Sequence, residues 1–227
     1  MDKVLGVRSD AIVTIGEGKG VVHVDQQYRF AFEMKNAARV LANKTKDTSD
    51  PDCFEMKALV IGAVSLSYSY LEAAFNEFIH LNASSKESPL TETEKAVINA
   101  IGSEQLRPGN AHVLRLFNMV LRLLCKQEMK ESEYPYQAAN LVRKLRNSLV
   151  HPTPGRVVTY TEDEDYDIST QQSIVKQLRS YLSLGRHATF PWDVLTTDCA
   201  VWSIRSCEDF FHEFSKRTGV DPGFITK

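Results

Sequence analysis

The sequence predicts an all-α fold, a helical bundle with a short N-terminal β-hairpin in front of it, and three observations carry that expectation. Apolar residues recur at three- and four-residue steps through most of the chain, and cap residues and prolines bracket those stretches. Period-two alternation is confined to the first two dozen or so positions. A length of 227 residues, 43% apolar and 25% charged, suffices for one core with an appendage. The expected division is a hairpin over residues 1–25 and a helical domain with extended C-terminal helices over 26–227.

The hairpin rests on Ile12, Val13 and Ile15 before the cluster Gly16-Glu17-Gly18-Lys19-Gly20, and on Val21, Val22 and Val24 after it. The cluster lacks both the terminal Lys-Ser/Thr of a phosphate loop and the G-x-G-x-x-G spacing of a dinucleotide fingerprint, so it reads as a turn. From 26 to 44, Phe30, Met34, Ala37 and Leu41 mark one helix face. Asp50 then offers a cap and Pro51 a first turn to a long helix running to about Leu81. Its positions Ile61, Val64, Tyr68, Leu71, Phe75 and Phe78 keep a heptad-like rhythm. Such a helix, on the order of 45 Å long, is the spine of a bundle and needs another long helix against its seam.

Thr91 and Glu94 have capping-box spacing ahead of Val97, Ala100 and Ile101, and Asn110 offers a cap to a helix bearing Val113, Phe117, Val120, Leu121 and Leu124. Residues Tyr136 to Val150 place Ala138, Leu141, Val142, Leu145 and Leu149 within roughly 100° of one another on a helical wheel. Pro152, Pro154 and Gly155 open a loop that contains the acidic run 162–167, read as solvated rather than metal-binding. A helix over 169–184, a connector over 185–193 and a last helix over 194–217 complete the chain, with Gly219 and Pro222 beyond its end. Trp202, Phe210, Phe211 and Phe214 are expected to pack that last helix onto the bundle, with His212 in a structural position between aromatics.

A net charge of −2 argues against a protein that coats nucleic acid through its overall field and confines any RNA contact to a small local site. Cys53, Cys125, Cys199 and Cys207 form no C-x-x-C pair and lie in apolar or helical contexts, which points to a reduced compartment. No uninterrupted apolar stretch reaches membrane-spanning length, so no membrane association is expected and a cytoplasmic location is. Neither a cofactor nor a metal is expected; Cys199, Cys207 and His212 share one helix without a tetrahedral ligand spacing.

The chemistry concentrates at Arg146-Asn147-Ser148-Leu149-Val150-His151-Pro152, where an amphipathic helix meets a proline. With thirteen arginines and six histidines, about 0.3 pairs at this interval are expected by chance, and the chain contains a second, Arg107 to His112. There Pro108 and Gly109 break the backbone after the arginine, leaving the two side chains without a shared rigid element. Arg146 instead lies at the border of the apolar stripe, about 80° from its centre, with Asn147 opposite the core. Pro152 biases His151 away from the α region, so it should stand at the helix end. An imidazole there can move a proton, and a guanidinium can hold two phosphate oxygens while charge builds on phosphorus. RNA supplies its own nucleophile, the 2′-hydroxyl, so such a pair needs no metal to cleave it. Plain helix termination is the alternative, with His151 facing the negative end of the dipole and Arg146 a surface cation, together worth about 1 kcal/mol.

The stretch from Leu141 to Pro152 resembles the R-x4-6-H signature of the HEPN superfamily, including the polar residue, here Asn147, directly after the arginine. Residues 67–78 are similar to the long helix that precedes this signature in many HEPN proteins. The resemblance implies a HEPN-like helical bundle, often a homodimer, whose two motifs meet at the subunit interface as a metal-independent endoribonuclease. Many such proteins act in toxin-antitoxin, phage-defence or RNA-processing systems, which implies RNA and an antitoxin or other protein as partners. By the same resemblance Arg146 stabilises the phosphate, His151 transfers the proton and Asn147 orients the substrate or the partner motif, with Glu72 holding Arg146 or His151. Arg143 and Lys144 become candidates to guide the RNA backbone. A non-catalytic HEPN-like module binding a protein partner or a nucleotide is the competing expectation.

Overall fold

The computed structural model describes residues 10–15, 22–27, 30–48, 50, 53–84, 88–103, 112–151 and 170–220. Seven α-helices dominate them: α1 Phe30–Lys44, α2 Phe54–Ser84, α3 Glu92–Gly102, α4 Val113–Leu123, α5 Tyr136–Val150, α6 Thr170–Leu178 and α7 Thr197–Thr218. The fold class is all-α. Ahead of the helices, β1 (Asp10–Ile15) pairs antiparallel with β2 (Val22–Gln27), with Val13 opposite Val24. The glycine-rich turn expected between them lies outside the described residues. Because β2 continues to Gln27, the boundary expected after residue 25 falls inside a strand, and the first helix starts at Phe30 rather than at 26.

The spine is α2, with 31 residues that extend about 46 Å at 1.5 Å per residue. It packs along α1 and is also covered by α7, α3 and α5, so the seam finds two long helices rather than one. Val64, Tyr68, Leu71, Phe75 and Phe78 are all buried, as the rhythm requires, whereas Ile61 is only half-buried. The helix begins three residues later than expected because Cys53, not Asp50, stands at its start. The Cys53 Sγ accepts from the Met56 N–H at 3.4 Å, and the Asp50 carbonyl accepts from the Cys53 N–H. Among the described residues α2 alone is long and apolar enough to cross a membrane, over Phe54–Ala83, although Glu55, Lys57, Glu72 and Glu77 interrupt its apolar run. Half of that stretch is buried inside the bundle.

The core is organised around Phe117 of α4. Its ring meets Phe75 of α2 and Phe210, Phe211 and Phe214 of α7 edge to face, at centroid distances of 5.1, 5.3, 5.9 and 4.6 Å. Tyr136 at the start of α5 reaches the same cluster through Phe210 at 5.8 Å. Four helices are thus locked to one aromatic centre, and edge-to-face pairs add about 0.5–1.5 kcal/mol each to the burial of their area.

The predicted capping box is present: Thr91 Oγ1 accepts from the Glu94 N–H, and Glu94 Oε2 accepts from the Thr91 N–H at 2.8 Å. Asn110 lies outside the described residues, and the residue before α4 is His112, whose side chain makes no cap hydrogen bond. Between α4 and α5, Asn118 clasps Met129 with both amide atoms, donating to its carbonyl at 2.7 Å and accepting from its N–H at 3.0 Å. Arg217 adds donations to the carbonyls of Gln127 and Glu128. Helix α5 keeps its predicted bounds. Helix α6 stops at Leu178, short of 184, and α7 starts at Thr197 rather than 194, because Thr196 Oγ1 caps it by accepting from the Cys199 N–H. Gly219 closes α7 in the left-handed region at φ 72°, as its place in the sequence suggests.

Candidate functional site

Three elements leave an open groove of about 500 Å³ between them. One wall is α2, where Tyr68, Glu72 and Asn76 follow one another at four-residue steps and therefore share a face. The second is α5, where Arg143, Arg146 and Asn147 stand at i, i+3 and i+4. The start of α4 closes one end with His112, Val113 and Leu116, and Phe75 joins the floor to the aromatic core.

Arg146 sits where its border position on the apolar stripe puts it. Its Nη1 donates to Asn147 Oδ1 at 3.1 Å, and its Nε is buried without a hydrogen-bond partner among the described residues. Arg143 donates through Nε to Asn140 Oδ1 at 2.9 Å. Among the described residues neither guanidinium is in an ion pair, so two cations face one groove with most of their donors uncommitted. Asn147, expected opposite the core, is instead half-buried and lines the groove with residues of α2 and the start of α4.

Glu72 stands at the groove mouth. Partial burial raises its carboxyl above the usual range and the nearby Arg146 charge lowers it again, so its expected partnership with Arg146 survives as a field effect rather than a contact. Burial also raises the Tyr68 phenol, with Glu72 adding to the effect and Arg143 opposing it, so Tyr68 remains a protonated donor across the neutral range. His112 goes the opposite way. Burial, followed by the charges of Arg143 and Arg115, pushes its imidazole down to about 4, against a smaller contrary effect of Glu131. Its Nδ1 is buried and unpaired among the described residues.

The structure therefore brings together Arg143, Arg146, Asn147 and Glu72, and leaves two expected residues elsewhere. Lys144 points to the other flank of α5 and donates to Gln177 Oε1 of α6 at 3.2 Å, where it ties two helices together. His151 ends α5 with φ −122° and ψ 67°, outside the α region as its proline neighbour requires; its N–H donates to the Asn147 carbonyl at 2.8 Å. Its side chain is exposed and does not line the groove. His212 is exposed rather than packed between aromatics, while Cys199 and Cys207 are fully buried, so α7 turns the histidine away from the two thiols. No cluster of potential metal ligands occurs among the described residues.

His112, Tyr68 and Asn76 are the residues that inspection of the sequence missed. The four-step row Tyr68-Glu72-Asn76 on an otherwise apolar helix was visible in the sequence and marks a polar stripe that needs water or a ligand. His112 carried no such mark. The backbone break that detaches it from Arg107 says nothing of Arg143 and Arg146, which reach it only through the packing of α4 against α5.

Neither a protein-family model, nor a curated protein, nor a solved structure matches this chain.

Proposed function

We propose that the groove between α2, α4 and α5 binds the phosphodiester backbone of RNA and that the chain is a metal-independent endoribonuclease of HEPN type. The observation that carries this reading is the convergence of Arg143, Arg146 and Asn147 on one open groove with no carboxylate ion-paired to either guanidinium among the described residues. A planar guanidinium with free donors matches phosphate oxygens, and a buried Nε strengthens that match by lowering the local dielectric. The groove is a small cationic feature on an acidic chain, as a net charge of −2 demands of any RNA site. Arg146 holds the scissile phosphate and stabilises its developing charge, Asn147 fixes the guanidinium plane, and His151 moves a proton, with a second copy of the chain supplying the complementary motif in a homodimer.

The test is cleavage of labelled RNA with a chelator present. Wild type should leave 2′,3′-cyclic phosphate ends, and the Arg146→Ala/His151→Ala double variant should be slower by roughly 10²-fold or more. Equal degradation by both proteins across RNA substrates ends the enzymatic reading. The exposure of His151 away from the groove favours the second reading, a non-catalytic module that holds a nucleotide or a protein partner. That reading expects binding at Arg143 and Arg146 without strand cleavage, and indifference to His151→Ala.

A further inference from the structure

Cleavage of RNA by 2′-hydroxyl attack requires one group to accept a proton and another to donate one, and a single Arg-His motif provides only one of them. The groove contains a second imidazole. His112 lines it together with Arg143, Arg146 and Asn147, on the wall contributed by α4. Its Nδ1 is buried without a hydrogen-bond partner among the described residues, which leaves Nε2 as the ring nitrogen available to the groove that His112 lines. The charged and titratable neighbours around it come from every packed element: Arg115 of its own helix, Glu131 of the following loop, Arg143 and Arg146 of α5, and Tyr68 and Glu72 of α2.

We infer that His112 is the proton acceptor of this site, removing the 2′-hydroxyl proton of an RNA strand whose scissile phosphate rests on Arg146 of the same chain; this rests on the ribonuclease reading above. The 2′-oxygen forms its bond to phosphorus as the bond from phosphorus to the 5′-oxygen breaks. His112 Nε2 keeps the proton of the 2′-hydroxyl, and the departing 5′-oxygen takes one from His151 of the partner subunit, since the chain's own His151 does not line this groove. The products are a 2′,3′-cyclic phosphate and a 5′-hydroxyl, and exchange with water restores both imidazoles. Burial, followed by the charges of Arg143 and Arg115, keeps the His112 imidazole unprotonated at neutral pH, so it is available to accept a proton, although the same effects weaken it as a base.

The experiment uses the full chain, wild type and His112→Gln, with an RNA oligonucleotide for cleavage and the same oligonucleotide carrying 2′-deoxy sugars as a binding probe. His112→Gln should slow cleavage by roughly 10²-fold or more while binding the deoxy probe within about twofold of wild type. The wild-type pH profile should keep its activity down to pH 5, with an acid limb near 4 rather than at the ordinary histidine value. Unchanged cleavage by His112→Gln overturns the assignment while the ribonuclease reading stands. Loss of cleavage and deoxy-probe binding together also overturns it, since it marks a structural position. Absence of cleavage by wild type removes both this assignment and the reading beneath it. As a separate geometric check, an equal mixture of Arg146→Ala and His112→Ala chains should recover no activity, because both side chains belong to one subunit's groove; recovery refutes that placement.

Discussion

Single side chains decide what this chain can do, and Arg146 and His112 illustrate two routes by which they reach one place. Arg146 is set by helix periodicity, and its role is checked by binding. Arg146→Ala should weaken the affinity for the deoxy probe about tenfold or more and flatten its salt dependence, as read by fluorescence anisotropy across a salt series. His112 is set by packing, and its low proton affinity links it to stability. Its folded value of about 4 lies below the ordinary 6.5, so between those limits the unfolded chain binds a proton that the folded chain refuses. Stability therefore falls as pH drops from about 6.5 to 4 and levels off below, with nothing contributed above 6.5. His112→Asn removes this component, and its melting temperature should decline less than that of wild type over that interval. An equal decline in both proteins contradicts the shift.

At the scale of elements, the aromatic centre and the loop clasp hold the walls of the groove. Phe117 joins four helices, so Phe117→Ala should cost about 3–5 kcal/mol in urea denaturation, the range for deleting a fully buried ring. Asn118→Leu keeps the volume but strands the N–H and carbonyl of Met129, and about 1–3 kcal/mol should be lost with faster amide exchange at Met129. Thr91→Ala should cost only about 1 kcal/mol, since its capping box is exposed. The start of α3 and both bounds of α5 were legible because they depend on residues within a turn of each other. The starts of α2 and α7 were not. Cys53 took the cap position from Asp50, and Thr196 capped α7 two residues past the expected start at Val194.

For the whole molecule, burial predicts a sharp division among the thiols. Cys199 and Cys207 lie fully inside, where loss of hydration pushes the Cys199 thiol up to about 12 and the Cys207 thiol also upward, whereas Cys125 is exposed. Maleimide treatment of the native protein should modify Cys125 rapidly and reach Cys199 and Cys207 only after denaturation, as resolved by peptide mass analysis. Labelling of Cys207 in the native state would show that α7 does not seat on α2 as described. The dimer in the proposed function is tested by sedimentation, which should give twice the 25.6 kDa chain mass at concentrations where RNA is cleaved.

By itself the sequence determined the helical class, the spine with its seam, the amphipathic α5 and the position of Arg146 on its flank, because each follows from spacing within one element. Which residues meet Arg146 was decided by the tertiary structure alone. Asn76 and Tyr68 arrive from α2, His112 from the start of α4, while Lys144 and His151, neighbours in sequence, turn elsewhere. Periodicity fixes the direction of a side chain from its own helix axis, but the relative rotation and offset of packed helices come from how Phe75, Phe117, Tyr136 and Phe210 fit together. A groove between three helices is a property of that fit, and no local pattern in the chain encodes it.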